Sequence, residues 1–237
     1  KWQLSIWTDA DSDTTDKDDF GDGITYFNIS DVVPNGDGNL VGSVDAGSSV
    51  FMHEPEEIVR KITVTSAAGF ADWKGVRINV IDTPGYINFL EETRGTLRAV
   101  DGAVLIISAI SGVKAETEKI YKFACDYEIP RIAFVSKLDK ERADFFRAVG
   151  DMEKYFCKGA LVLQLPLGVE NNFTGMVDLI KMKAIYWDEA SQGMKFDLRD
   201  IPANLVETSK KWREAMVEAA AESSEEMMNK YLEEGDL

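Results

Sequence analysis

Two apolar runs that stop abruptly at polar loops constrain this chain more than anything else in it. Val80-Ile81 runs into Asp82-Thr83-Pro84-Gly85-Tyr86, and Phe134-Val135 runs into Ser136-Lys137-Leu138-Asp139. A buried strand that ends this way delivers side chains to the carboxyl edge of an open α/β sheet, where ligands of such folds bind. Between the two loops the pattern predicts a helix over Asn88–Val100, a strand over Ala103–Ala109 and a helix over Glu116–Tyr127. The last of these has Ile120, Phe123, Ala124 and Tyr127 on one face. Pro130 closes it, and Arg131–Ser136 is the next strand. Strand–helix–strand order implies parallel pairing with right-handed crossovers.

The residue types in the two loops fit a guanine-nucleotide site. An Asp at a strand end can orient Mg²⁺ through water, and a Gly three positions on lets a backbone N–H approach a terminal phosphate. In the second loop an Asp offers two oxygens to a base edge that carries two N–H donors, while the Lys stem can lie along the base. Either tetrapeptide alone is a weak signal. With helix-length sequence between them, the two together are a strong one.

The flanks are read less sharply. Ile62–Ala68 and Val76–Ile81 read as paired strands joined through Asp72–Gly75. Ala143–Phe156 reads as a helix, Ala160–Leu165 as a strand, and Gly175–Leu179 and Lys183–Trp187 as short strands of a small appended sheet. Asn204–Ala221 is a long helix with Leu205, Trp212, Met216 and Ala219 as its apolar stripe. Ser223–Leu232 is a last helix, with Ser223 as N-cap and Glu226 completing a capping box. Residues 1–40 are Asp- and Gly-rich. Asp9, Asp11 and Asp13 alternate as in a calcium loop, but Thr14 and Phe20 stand where such a loop needs Gly and Glu, so a solvated acidic segment is expected. Leu4–Trp7 or Ile24–Ile29 is expected to cover a gap or edge in the main sheet.

The 237 residues suffice for one sizeable domain or a domain with an insertion, and 45% hydrophobic content fits a globular core. A formal charge of −16 repels nucleic acid at long range, so no direct DNA binding is expected and any RNA contact needs a local basic patch. Cys125 and Cys157, without a secretory leader, suggest reduced thiols in the cytoplasm. No run approaches the ~20 apolar residues of a membrane span.

From about Val44 to Leu237 the sequence resembles the G domain of bacterial translation elongation factor G and its paralogues. The likeness rests on Met52-His53-Glu54-Pro55-Glu56-Glu57-Ile58 before the first switch, Ile62–Ala68 at its exit, Asp82–Tyr86 as switch II and Ser136–Asp139 as the base-reading loop. Gln164–Gly168 and Lys181–Trp187 look like the start of the insertion subdomain peculiar to that family. The resemblance implies an α/β fold: a P-loop-GTPase-like, mostly parallel sheet flanked by helices, with a small α+β insertion subdomain. It implies three parts: an atypical segment 1–43, a partial G domain 44–167 and the insertion 168–237. By the same likeness, Thr63 and Asp82 hold Mg²⁺, Gly85 donates to the γ-phosphate, Asp139 reads guanine and Lys137 stacks on it. Thr83, Pro84, Tyr86, Ser136 and Leu138 complete the nucleotide-binding loops. GTP or GDP is the ligand, and the ribosome the partner.

Four departures qualify the likeness. Gly42-Ser43-Val44-Asp45-Ala46-Gly47-Ser48-Ser49 has phosphate-loop glycine spacing, but Ser48 replaces the required Lys. Pro55 then leaves no room for the helix that should follow, so the phosphate loop is expected to be lacking. Tyr86 stands where the family carries a His that positions water, which implies slow hydrolysis. Ser136 replaces Asn, which weakens base affinity while Asp139 keeps selectivity. The family's last nucleotide strand and its Ser-Ala loop would lie beyond Leu237, so the chain is expected to be incomplete at both ends. A catalytically silent G-domain-like remnant or interaction module without nucleotide binding, a protein of a different class, is the competing reading. His53, the only histidine, is expected to be an exposed loop residue.

Overall fold

The computed structural model describes residues 3–6, 25–28, 51–73, 76–156, 160–187 and 196–235. The chain divides into two compact units, residues 1–105 with 119–134 and residues 106–118 with 135–237. The Asp9–Asp19 cluster, the Gly42–Ser49 segment and Cys157 lie outside the described residues.

In the first unit, β1 (Gln3–Ile6) and β2 (Thr25–Asn28) pair antiparallel, Gln3 opposite Asn28, in a sheet of their own. This corrects the expectation that one of these segments covers the main sheet. Each pairs its inward-facing backbone groups with the other, so neither adds a strand to another sheet.

Next comes α1 (Pro55–Arg60), with Pro at its start, where a missing N–H costs nothing. It ends at Lys61 in the left-handed conformation, φ 56°. β3 (Ala67–Trp73) runs antiparallel to β4 (Val76–Asp82), from Ala67 opposite Asp82 to Trp73 opposite Val76. The strand expected from Ile62 therefore begins five residues later. The amides of Val64 and Thr65 are bound by the Glu57 side chain and that of Ser66 by Glu92, so they are not offered to a ladder.

The helix expected after switch II is α2 (Leu90–Thr96), with single 3₁₀ turns at Ile87–Phe89 before it and Leu97–Ala99 after it. Leu90, Thr93 and Leu97 form its buried face, at helical spacing. β5 (Ala103–Ser108), α3 (Ala115–Asp126) and β6 (Arg131–Ser136) follow as read from the sequence. β5 and β6 are hydrogen-bonded neighbours. Their starts are joined by Ala103 N–H to the Pro130 carbonyl and their ends by Ala109 N–H to the Ser136 carbonyl, each at 2.9 Å, so the pair runs parallel.

In the second unit, α4 (Phe145–Tyr155) is capped by Asp144, whose carboxylate accepts the Arg147 N–H at 2.9 Å. β7 (Gln164–Leu167), β8 (Gly175–Asp178), β9 (Lys183–Trp187) and β10 (Phe196–Arg199) form an antiparallel sheet in the order β10-β9-β8-β7. The strand expected at Ala160–Leu165 is thus displaced to Gln164–Leu167. Pro166, which looks like a terminator, is tolerated because β7 lies at the edge of the sheet. Gly175 is required in β8, since a Cβ there would collide with the Ile185 carbonyl of β9.

α5 (Val206–Ala221) packs Met216 and Val217 onto Leu165, Leu167, Val177, Leu179 and Ala184, with Trp212 partly buried beside them. α6 (Glu225–Glu234) is capped by Ser224, whose hydroxyl accepts the Met227 N–H, and not by Ser223 as the spacing suggested. The fold is α/β with mixed sheets. Among the described residues, no helix is long and apolar enough to cross a membrane.

Candidate functional site

Asp82 is the last residue of β4, and there its carboxylate accepts the Thr63 hydroxyl at 3.2 Å. Burial pushes its carboxyl above the ordinary 3.8. The Thr63 hydroxyl and the Thr83 N–H oppose that shift, and the like charge of Glu57 adds to it. The next residues hold the loop in place. Pro84 is fully buried, and its carbonyl accepts the buried Thr93 hydroxyl at 2.7 Å. Gly85 is exposed, has no hydrogen-bond partner among the described residues, and would meet nothing if it carried a Cβ. Its N–H is open to a ligand. Tyr86 is 57% exposed. An open cleft of about 350 Å³ lies here, lined by Glu56, Arg60, Ile62, Val64, Tyr86, Asn88 and Phe89.

Glu57 lies beneath this group, completely buried. One carboxylate oxygen accepts the N–H groups of Val64 (2.8 Å) and Thr65 (2.9 Å) and the Thr65 hydroxyl (3.3 Å). The other accepts the N–H groups of His53 (2.9 Å) and Glu54 (3.1 Å). Burial alone would raise its pKa, but the backbone donors outweigh it and hold the group at about 2. His53 contributes only its backbone, and its side chain is exposed as expected.

The Ser136–Asp139 loop belongs to the second unit. Ser136 is buried, with its hydroxyl donating to the Ile107 carbonyl at 3.3 Å. Lys137 is exposed in the left-handed conformation, φ 62°, and its carbonyl accepts the Lys140 N–H. Leu138 is buried, and its carbonyl accepts the Glu170 N–H at 2.9 Å. The Glu170 carboxylate accepts the Arg142 N–H at 2.6 Å, closing the loop from the other side. Asp139 is exposed and pairs with the Lys140 ammonium at 2.9 Å, which draws its carboxyl below the ordinary range.

Thr63, Asp82, Thr83, Pro84, Gly85 and Tyr86 thus gather in the first unit, and Ser136, Lys137, Leu138 and Asp139 in the second. Pro84, Ser136 and Leu138 are buried, so their side chains fix the loops and leave contact to their neighbours. Sequence reasoning missed Glu57, Thr93 and Glu170 as supports. Only Glu57 left a signal, a Glu two positions after a helix-opening Pro.

Among the described residues, no cluster of three metal-ligating side chains occurs. Mg²⁺ does not need one: it takes one or two protein oxygens and completes its shell with water and phosphate. The Asp82 carboxylate and Thr63 hydroxyl are oxygen donors of that kind and fit it.

Residues 37–235 match the family described as Elongation factor Tu GTP binding domain. Among solved structures, the chain is similar to the crystal structure of ttk003000868 from Thermus thermophilus, with a TM-score of 0.74 and 28% sequence identity. That match covers 83% of this chain and 29% of the other, so this chain spans less than a third of the length of that relative. A guanine nucleotide is accordingly the ligand that the domain implies. With five-sixths of its length inside the family's boundaries, the chain belongs to the elongation factor Tu-type GTP-binding domains of the translation GTPases.

Proposed function

We propose that this chain is the nucleotide-binding part of an elongation factor G-like GTPase that couples GTP binding and hydrolysis to translocation on the ribosome, in the cytoplasm, with slow turnover. The observation that carries this reading is the Thr63–Asp82 hydrogen bond at the end of β4, within a family of GTP-binding domains. Mg²⁺, held by Asp82 and Thr63, would neutralise phosphate charge. The Gly85 N–H donates to the terminal phosphate, and Thr63 senses whether that phosphate is present. Lys137 lies along the base, and Asp139 accepts the two N–H donors that distinguish guanine from adenine. Tyr86 orients water poorly, because a phenol hydroxyl lacks the basic ring nitrogen with which an imidazole takes a proton from water. By the same resemblance, residues 168–237 form the insertion subdomain.

Fluorescent GTP titrated with and without Mg²⁺ tests this. Weak binding, reached only at high micromolar GTP and strengthened by Mg²⁺, is expected, because the phosphate loop is expected to be lacking and Ser136 replaces Asn. Asp139→Asn should lose guanine and gain xanthine nucleotide, since an amide presents a donor where the carboxylate presents an acceptor. No binding at high micromolar GTP would leave the silent interaction module as the better reading.

A further inference from the structure

Thr63 is fixed on both sides by one residue. Before it, the Ile62 N–H donates to the Glu57 carbonyl at 3.3 Å, and after it the Val64 N–H donates to the Glu57 carboxylate at 2.8 Å. The same carboxylate reaches back across α1 to the amides of His53 and Glu54. We propose that Glu57 is a positioning residue for nucleotide sensing, clamping segment 62–66 so that the Thr63 hydroxyl meets Asp82. The inference rests on the reading of Thr63 given under Proposed function.

The chemistry favours a carboxylate over any other side chain here. Five donors converge on a fully buried group, and an ionised carboxylate is acceptor-only, with about four lone-pair sites on two oxygens. Charge-assisted bonds to backbone N–H groups are the strong kind. An amide would face one pair of donors with its own NH₂ and lose that half of the clamp. Glu57 stays ionised throughout the physiological range, so the clamp is permanent and not a pH switch.

The test uses the full chain and two readouts. Hydrogen exchange followed by mass spectrometry should show segment 62–66 exchanging at least about tenfold faster in Glu57→Ala, while β4 and α2 exchange as in the wild type. Glu57→Gln should release one side only. In fluorescent nucleotide titrations, Glu57→Ala should lose about tenfold in affinity for GTP and little for GDP, because on the proposed reading Thr63 senses the terminal phosphate, which GDP lacks. Thr63→Ala should reproduce the nucleotide effect without the exchange effect. Unchanged exchange at 62–66 in both variants would overturn the proposal. So would exchange rising equally in β4, which would make Glu57 a general core residue, or GTP and GDP affinities falling together. If the wild type binds neither nucleotide, the functional reading fails, and the exchange experiment alone decides whether the clamp exists.

Discussion

Replacing Thr93 with Val isolates the bond that anchors the Asp82–Tyr86 loop. Thr93 is 2% exposed, its hydroxyl donates to the Pro84 carbonyl at 2.7 Å, and Pro84 is itself fully buried. Valine keeps the β-branched shape, so no cavity opens and the helix is not perturbed. What is lost is the donor, and the Pro84 carbonyl is left in a dry site. An unsatisfied buried acceptor costs about 1–3 kcal/mol. For a chain of this size each kcal/mol lowers Tm by roughly 2–4 °C, so a mid-range loss of about 2 kcal/mol corresponds to about 4–8 °C. Thr93→Ser provides the contrast: it keeps the hydroxyl and gives up one methyl, worth about 0.8 kcal/mol. Urea unfolding followed by far-ultraviolet circular dichroism should rank wild type above Ser and Ser above Val, with an unchanged m-value. A Val variant as stable as wild type, or a Ser variant less stable than Val, would refute the assignment of the anchor to this hydrogen bond.

Tyr86→His places a base with a reference pKa of about 6.5 in switch II, and should raise GTP turnover at least about tenfold in a phosphate-release assay; an unchanged rate would remove Tyr86 from the account of slow hydrolysis. The Asp82 carboxyl is raised by burial, so its ionisation costs stability above that raised value, and the cost disappears as pH falls through it. If Mg²⁺ binds there as proposed, it needs the ionised form, and its calorimetric affinity should begin to fall at a pH above 3.8. Glu57 acts in the opposite sense: held at about 2, it stabilises the fold above its ordinary 4.5, and that contribution is lost as pH falls from 4.5 towards 2. Urea titrations of wild type and Glu57→Gln between pH 2 and 7 should converge at the acid end. Glu170→Ala frees the Arg142 amide and should weaken nucleotide affinity a few-fold without altering the preference of guanine over adenine, as competition titrations would show.

The elements that sequence patterning located best are those whose burial follows a simple period. β6 was legible at Arg131–Ser136 because an apolar run sits between Pro130 and a polar loop, and α3 because Ile120, Phe123 and Ala124 recur on one face at helical spacing. The reading failed where side chains took over backbone pairing. Ile62–Ser66 looks like a strand by composition, yet Glu57 and Glu92 bind amides that a ladder would use. β10 escaped notice because Phe196–Arg199 is only four residues long, and its alternation of Phe196 and Leu198 with polar residues buries neither side chain. The polar loops at the ends of β4 and β6 were recognisable from residue type. Thr93 and Glu170 were not, because each acts through a partner distant in sequence, and no local pattern records which carbonyl a hydroxyl will find.

The ammonium of Lys140 already occupies the carboxylate that is to recognise the base. On the functional reading proposed above, a purine reaching Asp139 exchanges one partner for another instead of filling a bare anion. Exposed pairs of this kind hold by only about 0–1 kcal/mol, so the incumbent is easily evicted. Attraction therefore contributes little to the choice between purines, and the spacing of two donors against two oxygens is left to make it. Dissolved salt, which loosens the resident pair, eases the exchange.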